Sequence, residues 1–206
     1  MQDKTQRLKP RKKPVQSRSA FTVDAIFEAS IQVLLAEGPE RLTTTKVAEC
    51  AGVSVGTLYQ YFADKDSLLA GVLEKHLIEI AERVEQACKD SHGQALEIAV
   101  RNLVCAFFGA KMGRPDVSRA LYAVSAELEG NAQVMKYAQR TQTSIVALMQ
   151  TIPDLGVTDL LRSSFLVTTA LIGPTQALLS VNAPKVFIDG VCDEAVAMIV
   201  RYLRGA

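Results

Sequence analysis

LTTTKVAECAGVSVGTLYQYFADKDSL, residues 42–68, is the stretch whose reading decides the fold. It reads as two short helices joined by a glycine turn, with another helix following at once. Thr44 or Thr45 is placed to cap the first of these, and Val47, Ala48 and Ala51 form its apolar stripe. Gly52 supplies the left-handed turn that only glycine enters cheaply. Ser54 is placed to cap the second helix. Leu58 and Phe62, four apart, face inward, which leaves Val55, Gly56, Tyr59 and Gln60 on the outer arc of a helix barely two turns long. An arc of that size fits the major groove of DNA.

Working outward, Phe27, Ser30, Ile31 and Leu34 have core spacing on a first helix over residues 23–37, which Gly38 stops. On the other side, Asp64 caps a fourth helix that begins near Lys65 and carries Leu68, Leu69, Val72, Leu73, Leu77 and Ile80 to about residue 87. At about 1.5 Å per residue it reaches from a small N-terminal domain into a second one. After the polar break KDSHGQ (89–94), helical patterns follow one another: Leu96, Val100, Leu103 and Phe107; then Val117, Leu121, Val124 and Leu128; then Val134, Ala138, Thr141, Ile145 and Leu148. The last two helices, 158–181 and 186–204, are the most apolar. Pro174 should kink the former. No internal repeat or convincing strand is found, so the expected fold is all-α. A basic arm (1–20), a helix-turn-helix domain (21–66) and a helical second domain (67–206) divide the chain.

At 206 residues and 49% hydrophobic, the chain can bury a substantial core. A formal charge of +1 excludes a bulk polyanion binder, but the charge is unevenly placed. Lys4, Arg7, Lys9, Arg11, Lys12, Lys13 and Arg18 face Asp3 alone, either as an arm that meets phosphate or as a solvated tail. No apolar stretch of a secretory signal follows that basic start, and Pro10 and Pro14 break an amphipathic transit helix. The longest apolar run, 165–179, is interrupted by Gly173, Pro174 and Gln176 and is too short for a span. A cytoplasmic protein without membrane partners is expected. Cys50, Cys88, Cys105 and Cys192 are scattered, and His76 and His92 are the only histidines. Neither a metal centre, a disulfide framework, a cofactor site nor a catalytic set is expected, and the chain does not read as an enzyme.

Over residues 22–75 the sequence resembles the TetR family of bacterial transcriptional regulators, through LTTTKVAECAGVSVGTLYQYF and the following ADKDSLL. The resemblance implies a three-helix DNA-reading domain, a connecting fourth helix, and an all-α ligand-binding and dimerisation domain, with two molecules on a palindromic DNA operator. It places Thr44 at the start of the helix that crosses the backbone, where hydroxyl and amide groups meet phosphate. Val55 and Gly56 fall at base-facing positions, Tyr59 and Tyr61 at phosphate or base-edge positions, and Lys65 at a phosphate clamp. Thr45, Lys46, Ser54, Thr57 and Gln60 complete the expected DNA-contacting set. Val55 departs from a hydrogen-bonding reader: it can touch a thymine methyl or permit close approach, so specificity falls to Gln60, Lys46, the arm or DNA shape. Thr44 as a mere cap, and the tyrosines as cover for the domain's flank, are the plain alternatives.

In the second domain, Asn102, Cys105, Ser125, Thr141, Thr168 and Thr169 interrupt apolar faces near Phe107, Phe108, Tyr122, Met135 and Met149. They could line a pocket for a small apolar or amphipathic effector. Equally, the threonines could bond back to their own helices while the aromatics fill a core. The leading expectation is a dimeric repressor released by a small molecule; the alternative is a regulator switched by a protein partner or by thiol oxidation.

Overall fold

A computed structural model describes residues 17–128 and 131–205, with nine helices and no strand among them. They are α1 (Ser17–Glu37), α2 (Thr44–Cys50), α3 (Val55–Tyr61), α4 (Lys65–Asp90), α5 (Leu96–Met112), α6 (Pro115–Glu127), α7 (Asn131–Met149), α8 (Leu160–Ser180) and α9 (Lys185–Arg204). α1 starts well before the expected residue 23. No proline or glycine stands between Pro14 and Gly38, so nothing in the sequence stops the helix from beginning earlier. The basic arm up to Lys13 lies outside the described residues.

The described residues form two compact units: 17–76 with 119–128 and 131–132, and 77–118 with 133–205. The first division falls inside α4, not at residue 66, and the end of α6 belongs to the first unit. Leu121 and Val124 of α6 are fully buried.

The first unit packs α1 across α2, and α2 against α3. Its core holds Ile26, Ala29, Val33 and Leu34 from α1, Val47 and Ala48 from α2, Leu58 from α3, and Leu68, Leu69, Val72 and Leu73 from α4. Burying each of the larger side chains contributes about 1.5 to 3 kcal/mol. The buried Ser30 hydroxyl donates to the Ile26 carbonyl at 2.7 Å, which keeps it satisfied within its own helix. The rings of Phe27 and Phe62 meet at 5.6 Å between centroids, tilted by 49°. Gly71 lies directly under them: a Cβ there would stand 3.1 Å from the Phe27 ring and 3.2 Å from that of Phe62. The segment Ser19–Glu37 is long and apolar enough to cross a membrane by composition alone, but its apolar stripe is the one that covers α2 here.

In the second unit, one cluster joins Ile80, Val84 and Cys88 of α4, Leu96 to Phe108 of α5, Ile145 to Met149 of α7, Val167 to Leu178 of α8, and Ala195 to Leu203 of α9. α5 packs on both α8 and α9. The loop before α8 closes onto the end of α9, where the Gly156 amide donates to the Leu203 carbonyl at 2.8 Å. A Cβ at Gly156 would run into the Arg204 backbone, so only glycine permits this approach. An Arg140–Glu85 ion pair ties α7 to α4. α8 continues through Pro174, and the Thr175 hydroxyl bonds the Leu171 and Ile172 carbonyls at 2.9 and 3.0 Å.

Candidate nucleic-acid interface

Local capping fixes the two short helices. The cap of α2 is Thr43, not Thr44 or Thr45: its extended backbone (φ −127°, ψ 150°) lets its hydroxyl accept from the Lys46 amide at 3.3 Å. Thr44 and Thr45 are already helical, and a capping residue has to stand outside the helix. Gly52 takes φ +65°, and the Val53 amide turns back to the Ala48 carbonyl at 3.0 Å. Ser54, at φ −72° and ψ 149°, accepts from the Thr57 amide at 3.0 Å, and its hydroxyl lies 2.8 Å from that of Thr57. α4 begins with a reciprocal cap: the Asp64 carboxylate accepts from the Ser67 amide at 2.8 Å, and the Ser67 hydroxyl accepts from the Asp64 amide at 3.1 Å.

On this frame the expected DNA-contacting residues separate into two groups. Thr45, Ser54, Gly56, Tyr59 and Gln60 are exposed, while Thr44, Val55, Thr57 and Tyr61 are half-buried. Thr44 Oγ1 lies 3.1 Å from the Tyr59 hydroxyl, which brings the first turn of α2 to the outer face of α3. Side-chain hydroxyls so placed, beside the free amides of two helix starts, are suited to phosphate oxygens. Open space surrounds the Gly56 Cα, where an added Cβ would meet only Ser54 Oγ at 3.7 Å.

The two lysines are turned away to a common neighbour. Lys46 forms an ion pair with Glu37 and donates to the Arg41 carbonyl at 3.3 Å, and Lys65 donates to the Pro39 carbonyl at 2.7 Å. Both ammonium groups therefore hold the turn that follows α1. The Cys50 thiol donates to Gln32 Oε1 at 3.3 Å, a contact with no signal in the local sequence.

The residues expected to line an effector pocket scatter. Phe107, Phe108 and Met149 belong to the second unit's core, whereas Asn102, Cys105, Met135 and Thr169 are exposed. The hydroxyls of Thr141, Thr168 and Thr169 donate to the carbonyls of Tyr137, Ser164 and Phe165 on their own helices, at 3.0, 2.8 and 3.0 Å. Asn102 donates to the Ser91 hydroxyl at 3.0 Å. Tyr122 and Ser125 belong to the first unit.

A capped helix, a glycine turn and a second capped helix with an open outer face define a helix-turn-helix DNA-binding domain. The profile described as "Bacterial regulatory proteins, tetR family" matches residues 26–72, and that described as "Tetracyclin repressor-like, C-terminal domain" matches residues 95–203, more than half of the chain. The chain belongs to the TetR family of bacterial regulatory proteins.

Among curated relatives, the chain is 31% identical over 65 residues to the "Fatty acid metabolism regulator protein" of Bacillus subtilis, covering 32% of this chain and 34% of that one. It is 31% identical over 90 residues to the "HTH-type transcriptional repressor BepR" of Brucella suis, covering 44% and 43%. The chain thus matches less than half the length of these two relatives. Among solved structures, a TetR-family regulator from Mesorhizobium loti superposes with a TM-score of 0.76 at 16% identity, covering 91% of this chain and 98% of that one. The fatty acid degradation regulator FadR from Bacillus halodurans gives 0.73 at 15%, covering 92% and 96%. At such identities these two structures speak for the fold alone.

Proposed function

We propose that the protein is a cytoplasmic repressor that binds a palindromic operator as a homodimer and is released by a small apolar or amphipathic effector. The observation that carries the DNA-reading part is the exposed, Ser54-capped α3, with Gly56, Tyr59 and Gln60 open and the Tyr59 hydroxyl beside Thr44. Apolar side chains left exposed on α8 and α9, namely Leu161, Phe165, Leu166, Val186, Phe187 and Met198, support self-association. A two-fold dimer reads two half-sites about one helical turn or a multiple apart, roughly 34 to 36 Å per turn.

For the effector, support comes from the likeness to the fatty acid metabolism regulator of Bacillus subtilis. Release demands an effector that binds the DNA-free form better than the DNA-bound form, since equal affinity shifts nothing. A regulator switched by a protein partner or by thiol oxidation is the second reading. It is favoured by Phe107, Phe108 and Met149, which are occupied in packing the core.

Selection of bound duplexes from a random pool, followed by titration with and without long-chain fatty acids, tests the proposal. Enriched palindromes and weaker binding with the acid support it. Enrichment of palindromes with no effect from any apolar compound leaves the second reading, and failure to enrich any palindrome removes the operator claim. Analytical ultracentrifugation at micromolar concentration giving a monomer mass would sink the dimer.

A further inference from the structure

Glu97, Arg101 and Cys105 follow one another four apart on α5 and so share one face of that helix. Glu97 pairs with Arg204, and Arg101 Nη1 lies 3.0 Å from Asp193 Oδ1, both partners standing on α9. The partners' order is reversed along α9, so the two helices run antiparallel. Cys105 stands one turn beyond Arg101 on α5, and Cys192 is the chain neighbour of Asp193 on α9, so the ion pair flanks both cysteines. The two thiols are close enough for Cys105 to act on the titration of Cys192. Cys105 is open to solvent, while Cys192 is half-buried with its inner side on the core. We propose that this pair is a redox modification site, in which Cys105 and Cys192 form a reversible disulfide when the protein meets a hydroperoxide.

The two sulfurs have different parts. Burial, and then the neighbouring Cys105, push the Cys192 thiol up to about 11, so it rests protonated at neutral pH. Cys105, the accessible sulfur, meets the oxidant first. Its thiolate attacks one peroxide oxygen; the O–O bond breaks, and the other oxygen takes up a proton and leaves as an alcohol or as water. Cys105 is then a sulfenic acid, and the Arg101 guanidinium beside Cys192 favours the Cys192 thiolate. That thiolate attacks the Cys105 sulfur, the S–O bond breaks, and the hydroxyl leaves as water with the proton that Cys192 gave up. Two thiols are oxidised and one hydroperoxide is reduced.

The other cysteines lack such a partner arrangement. Cys88 is buried, and burial followed by the charge of Glu85 raises its thiol to about 12. Cys50 bonds to Gln32 in the other unit. A disulfide between Cys105 and Cys192 would staple α5 to α9 without a second molecule. Where thiols are normally kept reduced, persistent disulfides are rare and transient ones are redox signals. This inference stands apart from the effector and operator readings.

Full-length reduced protein, treated with one equivalent of hydrogen peroxide, is assayed for free thiols after unfolding and mapped by peptide mass spectrometry. Thiols are expected to fall from four to two, with one cross-linked peptide pair containing Cys105 and Cys192. The thermal midpoint should rise and return when reductant is added. In Cys192→Ser, a sulfenic acid trap should label Cys105 and no intramolecular link should form. The proposal is overturned by oxidation confined to Cys50, by Cys105 passing to a sulfinic acid with Cys192 still free, or by Cys105 linking two chains. Because the wild-type map alone decides, a variant that fails to fold leaves the outcome intact.

Discussion

The Tyr59 hydroxyl stands 3.1 Å from Thr44 Oγ1, joining the outward face of α3 to the first turn of α2. Either group can donate, and the bond uses only one of the two hydroxyl hydrogens. The pair therefore keeps one hydrogen for a third oxygen, such as that of a DNA phosphate. Tyr59→Phe should weaken every DNA sequence alike by about 0.5 to 1.5 kcal/mol, the net scale of one hydrogen bond, and leave the melting midpoint nearly unchanged because the pair is solvent-accessible. Titration against several duplexes checks it. A loss confined to one operator variant would make Tyr59 a base reader instead.

Gly56→Ala separates stability from recognition. The glycine is helical with ordinary φ and has room for a methyl group, so alanine should raise stability by about 0.8 to 1 kcal/mol. The same methyl group would stand between α3 and the groove floor, and DNA affinity should fall by about 1 to 3 kcal/mol. Thermal melting and gel-shift titration together read both signs; higher stability with unchanged affinity would put α3 outside the groove.

The capping residues give a graded test. Thr43→Ala and Ser54→Ala should each lower stability by about 1 kcal/mol, since each leaves a helix-start amide without its acceptor. Thr45→Ala, on an exposed helical position, should change it by less than about 0.5 kcal/mol. Urea unfolding of the three variants checks the order. Equal losses at Thr43 and Thr45 would mean that the cap is shared.

Deletion of residues 1–16 probes the basic arm as a DNA contact. Each phosphate contact that is lost should reduce the slope of log affinity against log salt by about 0.9. Binding titrations at several salt concentrations measure it, and an unchanged slope would make the arm a solubilising tail.

Much of the reading head is local chemistry and therefore legible in sequence. Gly52, Ser54 and Asp64 do what their residue types do best, within four residues of their partners. The α2 cap is harder to locate, because three threonines in a row offer the same group and only backbone conformation separates Thr43 from Thr44. Lys46 reads as a source of specificity and Lys65 as a phosphate clamp, but their reach to Glu37 and Pro39 depends on how the turn after α1 folds over them. Cys105 and Cys192 look scattered along the chain, and only the packing of α5 on α9 brings them together. For the effector residues, helical periodicity marks which side chains point inward but not whether that interior is filled.

Gly71, beneath the rings of Phe27 and Phe62, sets a rule for how this domain can change over evolutionary time. Even a methyl group at that position forces a ring to withdraw by a few tenths of an ångström. Positions 27, 62 and 71 should therefore vary as a trio, a larger residue at 71 accompanying a smaller one in a ring's place. The outer arc of α3 carries no such obligation, so a lineage can acquire a new operator one substitution at a time while this trio stays fixed.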